Sequence, residues 1–276
     1  MLETADTAIL ATFDYLRDPP TDTPGERLTY ITENQKASTI RLVSHEMPIH
    51  DARPDRPNFS LDVQGFALVD HKSAITDFSN QQAIEQQYAA EMAELVKQVT
   101  GADAAMAFGV NIRYSKAPSN FVKKGDDQPA RHPHADFTDA SSESVINAMK
   151  ALCPDYKRAA VFNIWRAFSP PPQSFPLAVV DARTISADQE EVADVRIDVE
   201  GTNATEAVMM VYRHSPDHKW YYFSDMEIEE ALMFKAFDTD KSRTQRVPHS
   251  SFINPLAGPD APPRASIEAR AVAFFR

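Results

Sequence analysis

Apolar positions recur at helical spacing over one long stretch of the chain. Between residues 79 and 100, Ile84, Tyr88, Met92, Leu95, Val96 and Val99 share a side, which predicts an amphipathic helix. Ser79 and Gln82 make a capping-box pattern at its start, and Gly101 closes it. A second helix is predicted from about Ser142 to Leu152, with Val145, Ile146, Met149 and Leu152 on one side and Pro154 as its stop.

Elsewhere the pattern shortens to alternation or brief apolar runs, the signature of strands. These are predicted at Ser38–Ser44, 60–69 with a bulge at Gly65, Ala104–Tyr114, Ala159–Phe168, Leu177–Arg183, Ala207–Arg213, Trp220–Phe223, Arg246–Phe252 and Ser266–Phe275. Pro170, Pro171 and Pro172 force a turn between two of them. The first 58 residues carry Pro19, Pro20, Pro24, Pro48, Pro54 and Pro57 and are expected to be largely irregular, packing on the core. Strands outnumber helices, and neither a β-α-β rhythm nor an internal repeat appears. The expectation is a single domain over 1–276, mainly β with flanking helices.

Composition removes several function classes. Only 7 glycines accompany 20 prolines, and neither GxGxxG nor GxxxxGK[ST] occurs. Backbone cradles for phosphate depend on such glycines, so nucleotide-binding and methyltransferase readings are poor. A net charge of −12 with no basic, aromatic-interleaved stripe argues against nucleic acid. The single cysteine, Cys153, rules out an intrachain disulfide and reads as a structural thiol near a helix end. No apolar run approaches a membrane span, and the N-terminus resembles neither a signal nor a transit peptide, so a cytoplasmic location is expected.

The chemistry concentrates in ARHPHADFTD. His134 and Asp136 are two apart, so on a strand they reach the same side and can share a metal. An imidazole with a carboxylate is two thirds of the facial triad that holds non-haem iron, and His249 in RVPHSSF is the natural third ligand. Alone, His-x-Asp specifies little, since 8 histidines and 40 acids produce such pairs by chance. His132–His134 would also suit a loop that hydrogen-bonds its neighbours. The C-terminal strand adds weight: Arg264, Ser266, Glu268 and Arg270 share one face, and a strand-borne guanidinium grips a carboxylate bidentately. An arginine–glutamate pair on a solvated edge is the plainer alternative.

Several blocks together resemble the family that contains fungal gibberellin GA4 desaturase, the AsaB-type hydroxylase/desaturases and the CmcJ-type cephamycin 7-hydroxylase component. They are IHDAR (Ile49–Arg53), FSLDVQGF (Phe59–Phe66), Thr100–Ala102, HADFT (His134–Thr138), FNIWRAF (Phe162–Phe168), FPLAVVDAR (Phe175–Arg183), His218–Thr239, PHSSF (Pro248–Phe252) and PPRASIEARAV (Pro262–Val272). The resemblance spans nearly the whole chain. It implies a double-stranded β-helix (jelly-roll, cupin-like) core and Fe(II) held by His134, Asp136 and His249. It also implies 2-oxoglutarate as co-substrate, and oxygen with a small secondary metabolite as reactants. The expected outcomes are hydroxylation, desaturation or oxidative cyclisation. Arg264 and Arg270 match two arginines of the C-terminal motif, with Arg270 favoured as the co-substrate anchor because it lies deeper in the strand. Asn163 is expected beside the metal-bound end of the co-substrate. Trp165, Arg166, Tyr222 and Arg113 are expected to line the substrate pocket, although neighbouring strand residues cannot both face inward. A homodimer is one assembly open to the chain, and a non-catalytic jelly-roll that binds a small molecule or metal is the alternative function.

Overall fold

The computed structural model describes residues 8–32, 34–78, 80–116, 129–197 and 205–276. In chain order, β1 (Ile9–Leu16), β2 (Thr29–Ile31), β3 (Leu42–Asp51) and β4 (Phe66–Asp70) come first. A helical stretch follows, made of α1 (Gln81–Ala83), a π-helical segment (Ile84–Tyr88) and α2 (Ala89–Thr100). Next come β5 (Ala104–Tyr114), β6 (His134–Ala135), α3 (Asp139–Met149), β7 (Arg158–Ala167) and β8 (Leu177–Val180). The chain closes with β9 (Glu190–Ile197), β10 (Thr205–Tyr212), β11 (Trp220–Tyr222), β12 (Glu230–Asp238), β13 (His249–Ser251) and β14 (Ala265–Phe275).

The strands form two sheets, ordered β1-β3-β11-β8-β13-β6-β10-β9-β2 and β4-β12-β7-β14-β5. The nine-stranded sheet curls until Leu16 of β1 bridges Arg213 at the end of β10. Its concave side encloses Phe13, Tyr15, Ile49, Val180, Trp220, Tyr222 and Phe252. The five-stranded sheet uses both faces. One receives the α1–α2 helical stretch through Ile84, Tyr88, Met92, Leu95 and Val96. The other meets the curled sheet through Trp165, Leu232, Phe234, Val179 and Val247. Two facing, mainly antiparallel sheets with this connectivity make the jelly-roll core that the sequence blocks imply.

The strands called from alternation at β5, β7, β8, β10, β11, β13 and β14 are present with small shifts at their ends. The N-terminal segment is not largely irregular, because it supplies β1, β2 and β3. Pro19, Pro20 and Pro24 lie between β1 and β2, Pro48 lies within β3, and Pro54 and Pro57 follow it. Residues 60–65 turn rather than extend, and only Phe66 onward is strand. Gly65 has φ +95, and its N–H donates to the Ser60 carbonyl at 2.9 Å, a turn geometry in place of a bulge. β12 was missed because all nine of its residues are buried, which erases alternation. Ser79 lies outside the described residues; Asn80 caps the helix, its side chain accepting from the Ala83 N–H at 3.1 Å.

Candidate active site

β6 is only two residues long, wedged between β13 and β10. Its pairing sets His134 directly opposite His249 of β13, with ring centroids 4.3 Å apart. Asp136 follows immediately, so three side chains from two neighbouring strands converge. His134 Nε2 is 3.6 Å from Asp136 Oδ1, and His249 Nε2 is 3.9 Å from the same oxygen. One ligand atom from each lies within 4.8 Å of the others, a spacing that one ion can fill.

The proton positions suit a metal. His134 Nδ1 faces the His132 carbonyl at 2.9 Å, and His249 Nδ1 faces the Val247 carbonyl at 3.4 Å. A carbonyl only accepts, so each Nδ1 carries the hydrogen and each Nε2 keeps its lone pair toward Asp136. Burial, then neighbouring His134, pushes the His249 imidazole down to about 3, so it is neutral at physiological pH. Burial alone would raise the Asp136 carboxyl, but Arg270, His249 and His134 outweigh it and hold it well below the usual carboxylate range. Phe234 covers the other side of His249 at 4.7 Å. Two imidazole nitrogens and one carboxylate oxygen on a shared face are the donor set of non-haem Fe(II).

The inward face of the second sheet forms the opposite wall. β7 and β14 place Asn163 opposite Arg270 and Trp165 opposite Glu268. Asn163 Nδ2 donates to Asp136 Oδ2 at 3.0 Å, while its own Oδ1 is buried without a partner among the described residues. The Trp165 indole N–H is likewise buried and unpartnered. Both atoms sit on the side of β7 that faces the triad.

The two C-terminal arginines have different surroundings. Arg270 is spent on protein carboxylates: its Nε lies 2.8 Å from Asp136 Oδ2, and its Nη2 reaches Glu268 Oε1 at 3.1 Å. Arg264 is only 2% exposed, yet its guanidinium meets Ser266 Oγ at 2.9 Å and the Phe175 carbonyl at 3.2 Å, with no carboxylate in ion-pair range among the described residues. Burial, then the nearby Arg113, pushes Arg264 down to about 9. The two positions thus differ in pairing as well as in depth along the strand. The residue beside the Pro-Pro turn is the buried cation in need of an anion, and the deeper one is already paired.

Two expected pocket residues are not brought here. Arg166 points to the helix side of β7, fully buried, where it donates to the His71 carbonyl at 2.9 Å, to the Ile228 carbonyl and toward Tyr88 Oη. Alternation along the strand decides this, because Trp165 takes the inward position. Tyr222 faces the concave core of the curled sheet, 5.4 Å from Phe252, and it is Tyr221 that packs between the sheets near Phe59 and Phe66. Arg113 does lie on the site face, opposite Ser266, and binds Glu268 at 3.1 Å. Sequence reasoning passed over Glu268, though its place between Arg264 and Arg270 on one strand face was the signal. It also gave little weight to His132, which is buried with its ring 4.9 Å from that of His134.

Fold and site together define a jelly-roll oxygenase of the facial-triad type. A family model described as "Oxidoreductase/YMDC permease-like domain" matches residues 13–274. The Fe(II)/2-oxoglutarate-dependent dioxygenase nvfI of Aspergillus novofumigatus is 32% identical, over 87% of both chains. The hydroxylase/desaturase CTB9 of Cercospora beticola is 33% identical, over 82% of this chain and 75% of its own. Among solved structures, the iron and alpha-ketoglutarate-dependent endoperoxidase NvfI superposes with TM-score 0.81 at 28% identity, covering 97% of each chain. The chain belongs to this family of Fe(II)/2-oxoglutarate-dependent dioxygenases and hydroxylase/desaturases. It is an oxidoreductase whose cofactors are Fe(II) and 2-oxoglutarate.

Proposed function

We propose that this protein oxidises an unactivated C–H bond of a small secondary metabolite, with His134, Asp136 and His249 holding Fe(II) and Arg264 anchoring 2-oxoglutarate. One observation carries the reading: a convergent His/Asp/His set faces the same inter-sheet space as a buried arginine that has no carboxylate partner among the described residues. When bound, Fe(II) and 2-oxoglutarate together activate oxygen, and succinate and carbon dioxide are the co-products. The chain's own residues supply position. Arg264 with Ser266 Oγ fixes the far carboxylate, and the Trp165 N–H and Asn163 Oδ1 offer one donor and one acceptor to whatever lies between. Arg113, on the rim of the same face, is the residue placed to meet the substrate. The working location is the cytosol, with no nucleic-acid partner; no described helix is long and apolar enough to cross a membrane.

Anaerobic titration with Fe(II) and then 2-oxoglutarate tests this without the substrate. A visible metal-to-ligand charge-transfer band that needs both additions is expected. Its absence in the folded wild-type protein overturns the assignment. Succinate release coupled to loss of a substrate separates the enzyme from a silent jelly-roll that merely binds metal.

A further inference from the structure

A carboxylate ligand can meet a metal through one oxygen or through both, and the choice changes how many positions stay open for other ligands. In this protein the choice is constrained from outside the triad. Asp136 Oδ2 accepts from Asn163 Nδ2 at 3.0 Å and from Arg270 Nε at 2.8 Å, with Arg270 Nη2 in ion-pair range at 2.7 Å. Two N–H donors saturate the lone pairs of one carboxylate oxygen. Only Oδ1 is left, and it is the oxygen turned toward both Nε2 atoms.

Arg270 is itself held at three points. Its Nη2 reaches Glu268 Oε1 at 3.1 Å, and its Nη1 donates to the Gly109 carbonyl at 3.1 Å. Glu268 in turn accepts from Arg113 Nε at 3.2 Å and Nη2 at 3.1 Å. The backbone is shaped to match. Opposite Arg270, the β5–β14 register shifts between Glu268 and Arg270, and Gly109 stands there with φ +59. A Cβ at Gly109 would lie 3.3 Å from Arg270 Cδ, tighter than ordinary contact.

We propose that Arg270 and Glu268 form a clamp that keeps Asp136 a one-oxygen ligand, with Glu268 a positioning residue for the metal rather than a partner of the co-substrate. The inference rests on the functional reading above for the identity of the metal. Asp136, fixed in this way, cannot swing to chelate, and the position its second oxygen would take stays available. Arg113 braces the far end of the ladder.

The test uses the full chain with Glu268→Gln, which keeps the shape and removes the charge, and Arg270→Lys, which keeps the charge and loses the fork. Fe(II) affinity is measured anaerobically, and Co(II) serves as a spectroscopic stand-in whose d–d bands report coordination number. 2-Oxoglutarate affinity is then read from the charge-transfer band at saturating Fe(II). The expected result is Fe(II) binding about 10–100-fold weaker in both variants, the range for losing an outer-shell partner, with altered Co(II) bands. 2-Oxoglutarate affinity at saturating metal should move less than about threefold, since the proposed anchor is untouched. Unchanged Fe(II) affinity overturns the clamp, and a tenfold loss confined to 2-oxoglutarate reinstates Arg270 as the anchor. Should either charge variant fail to fold, Gly109→Ala displaces the Arg270 stem without altering a charge, and the same two affinities decide. A wild-type protein that binds Co(II) but never develops the 2-oxoglutarate band overturns the functional reading alone, and the Co(II) spectra still judge the clamp.

Discussion

The guanidinium carbon of Arg264 lies 5.2 Å from the ring centroid of Trp165. A π face stabilises a desolvated cation by about 2 kcal/mol, while burying an ion costs several kcal/mol. If Arg264 anchors 2-oxoglutarate as proposed, the ligand-free protein carries an electrostatic penalty that the incoming carboxylate removes. Arg264→Met should raise the stability of the ligand-free protein by about 1–3 kcal/mol, a rise of several degrees in Tm, and weaken 2-oxoglutarate binding at least about 30-fold. Arg264→Lys keeps the charge without the fork and should fall between. Thermal melts with and without Fe(II) and 2-oxoglutarate check both halves. A methionine variant that is less stable yet binds normally sinks the assignment.

Arg166 offers the opposite case. Its N–H groups satisfy the His71 and Ile228 carbonyls, tying the chain after β4 and the turn before β12 to β7. Arg166→Met strips both part-buried carbonyls of a charged donor, at a cost of about 3 kcal/mol. Denaturant melts should show the loss. The Fe(II) and 2-oxoglutarate affinities of the surviving folded fraction should stay within about twofold of wild type.

A one-way hydrogen-bond relay crosses the curled sheet. The Trp220 indole N–H donates to Tyr15 Oη at 2.8 Å, the Tyr15 hydroxyl donates to His218 Nδ1 at 3.0 Å, and His218 Nε2–H donates to Gln189 Oε1 at 2.9 Å. The Tyr15–His218 link requires a neutral imidazole, because only then does Nδ1 offer a lone pair. Burial, then His214, lowers His218 from 6.5 to about 4, against a smaller pull from Asp217. Between those values the unfolded chain binds a proton that the folded one refuses, so stability falls as pH drops from 6.5 toward 4. The loss from this residue is up to about 3 kcal/mol. Melts of wild type and His218→Asn across that window should diverge by roughly this amount; parallel curves count against the relay.

Gly65 backs the metal site from a distance. A Cβ there would sit 2.3 Å from Val247 Cγ2 and 2.7 Å from Thr244 Cγ2, and Val247 supplies the carbonyl that orients His249. Gly65→Ala combines a left-handed backbone with overpacking, about 2–4 kcal/mol together. Both the melting temperature and Fe(II) affinity should drop. An affinity loss without any change in stability would contradict this account.

The sequence was most legible where one face of a strand is wet or lined by function. Alternation marked β5 and β14, and with them the face carrying Arg264, Ser266, Glu268 and Arg270. β12 offered no such contrast, because it is enclosed on both faces and its EALMFKAFD reads equally well as helix. β6 is two residues long, too short for any period to show. Trp165 and Arg166 show the limit within one strand: the block marked both, and only the register against β14 says which faces the iron site. The choice between Arg264 and Arg270 turned on partners distant in sequence, Asp136 above all, that spacing along the C-terminal strand cannot reveal.

His134 and His249 are register partners although most of the second half of the chain lies between them. A ribosome that has just released the first histidine has yet to make the strand that sets its companion, and β14 with Arg264 and Arg270 comes last of all. The centre therefore cannot form until β13 and β14 have been made, and the His-x-Asp pair waits on strands far downstream of it. A nascent or C-terminally clipped chain would keep the His-x-Asp pair and still be unable to compete for metal in the cell.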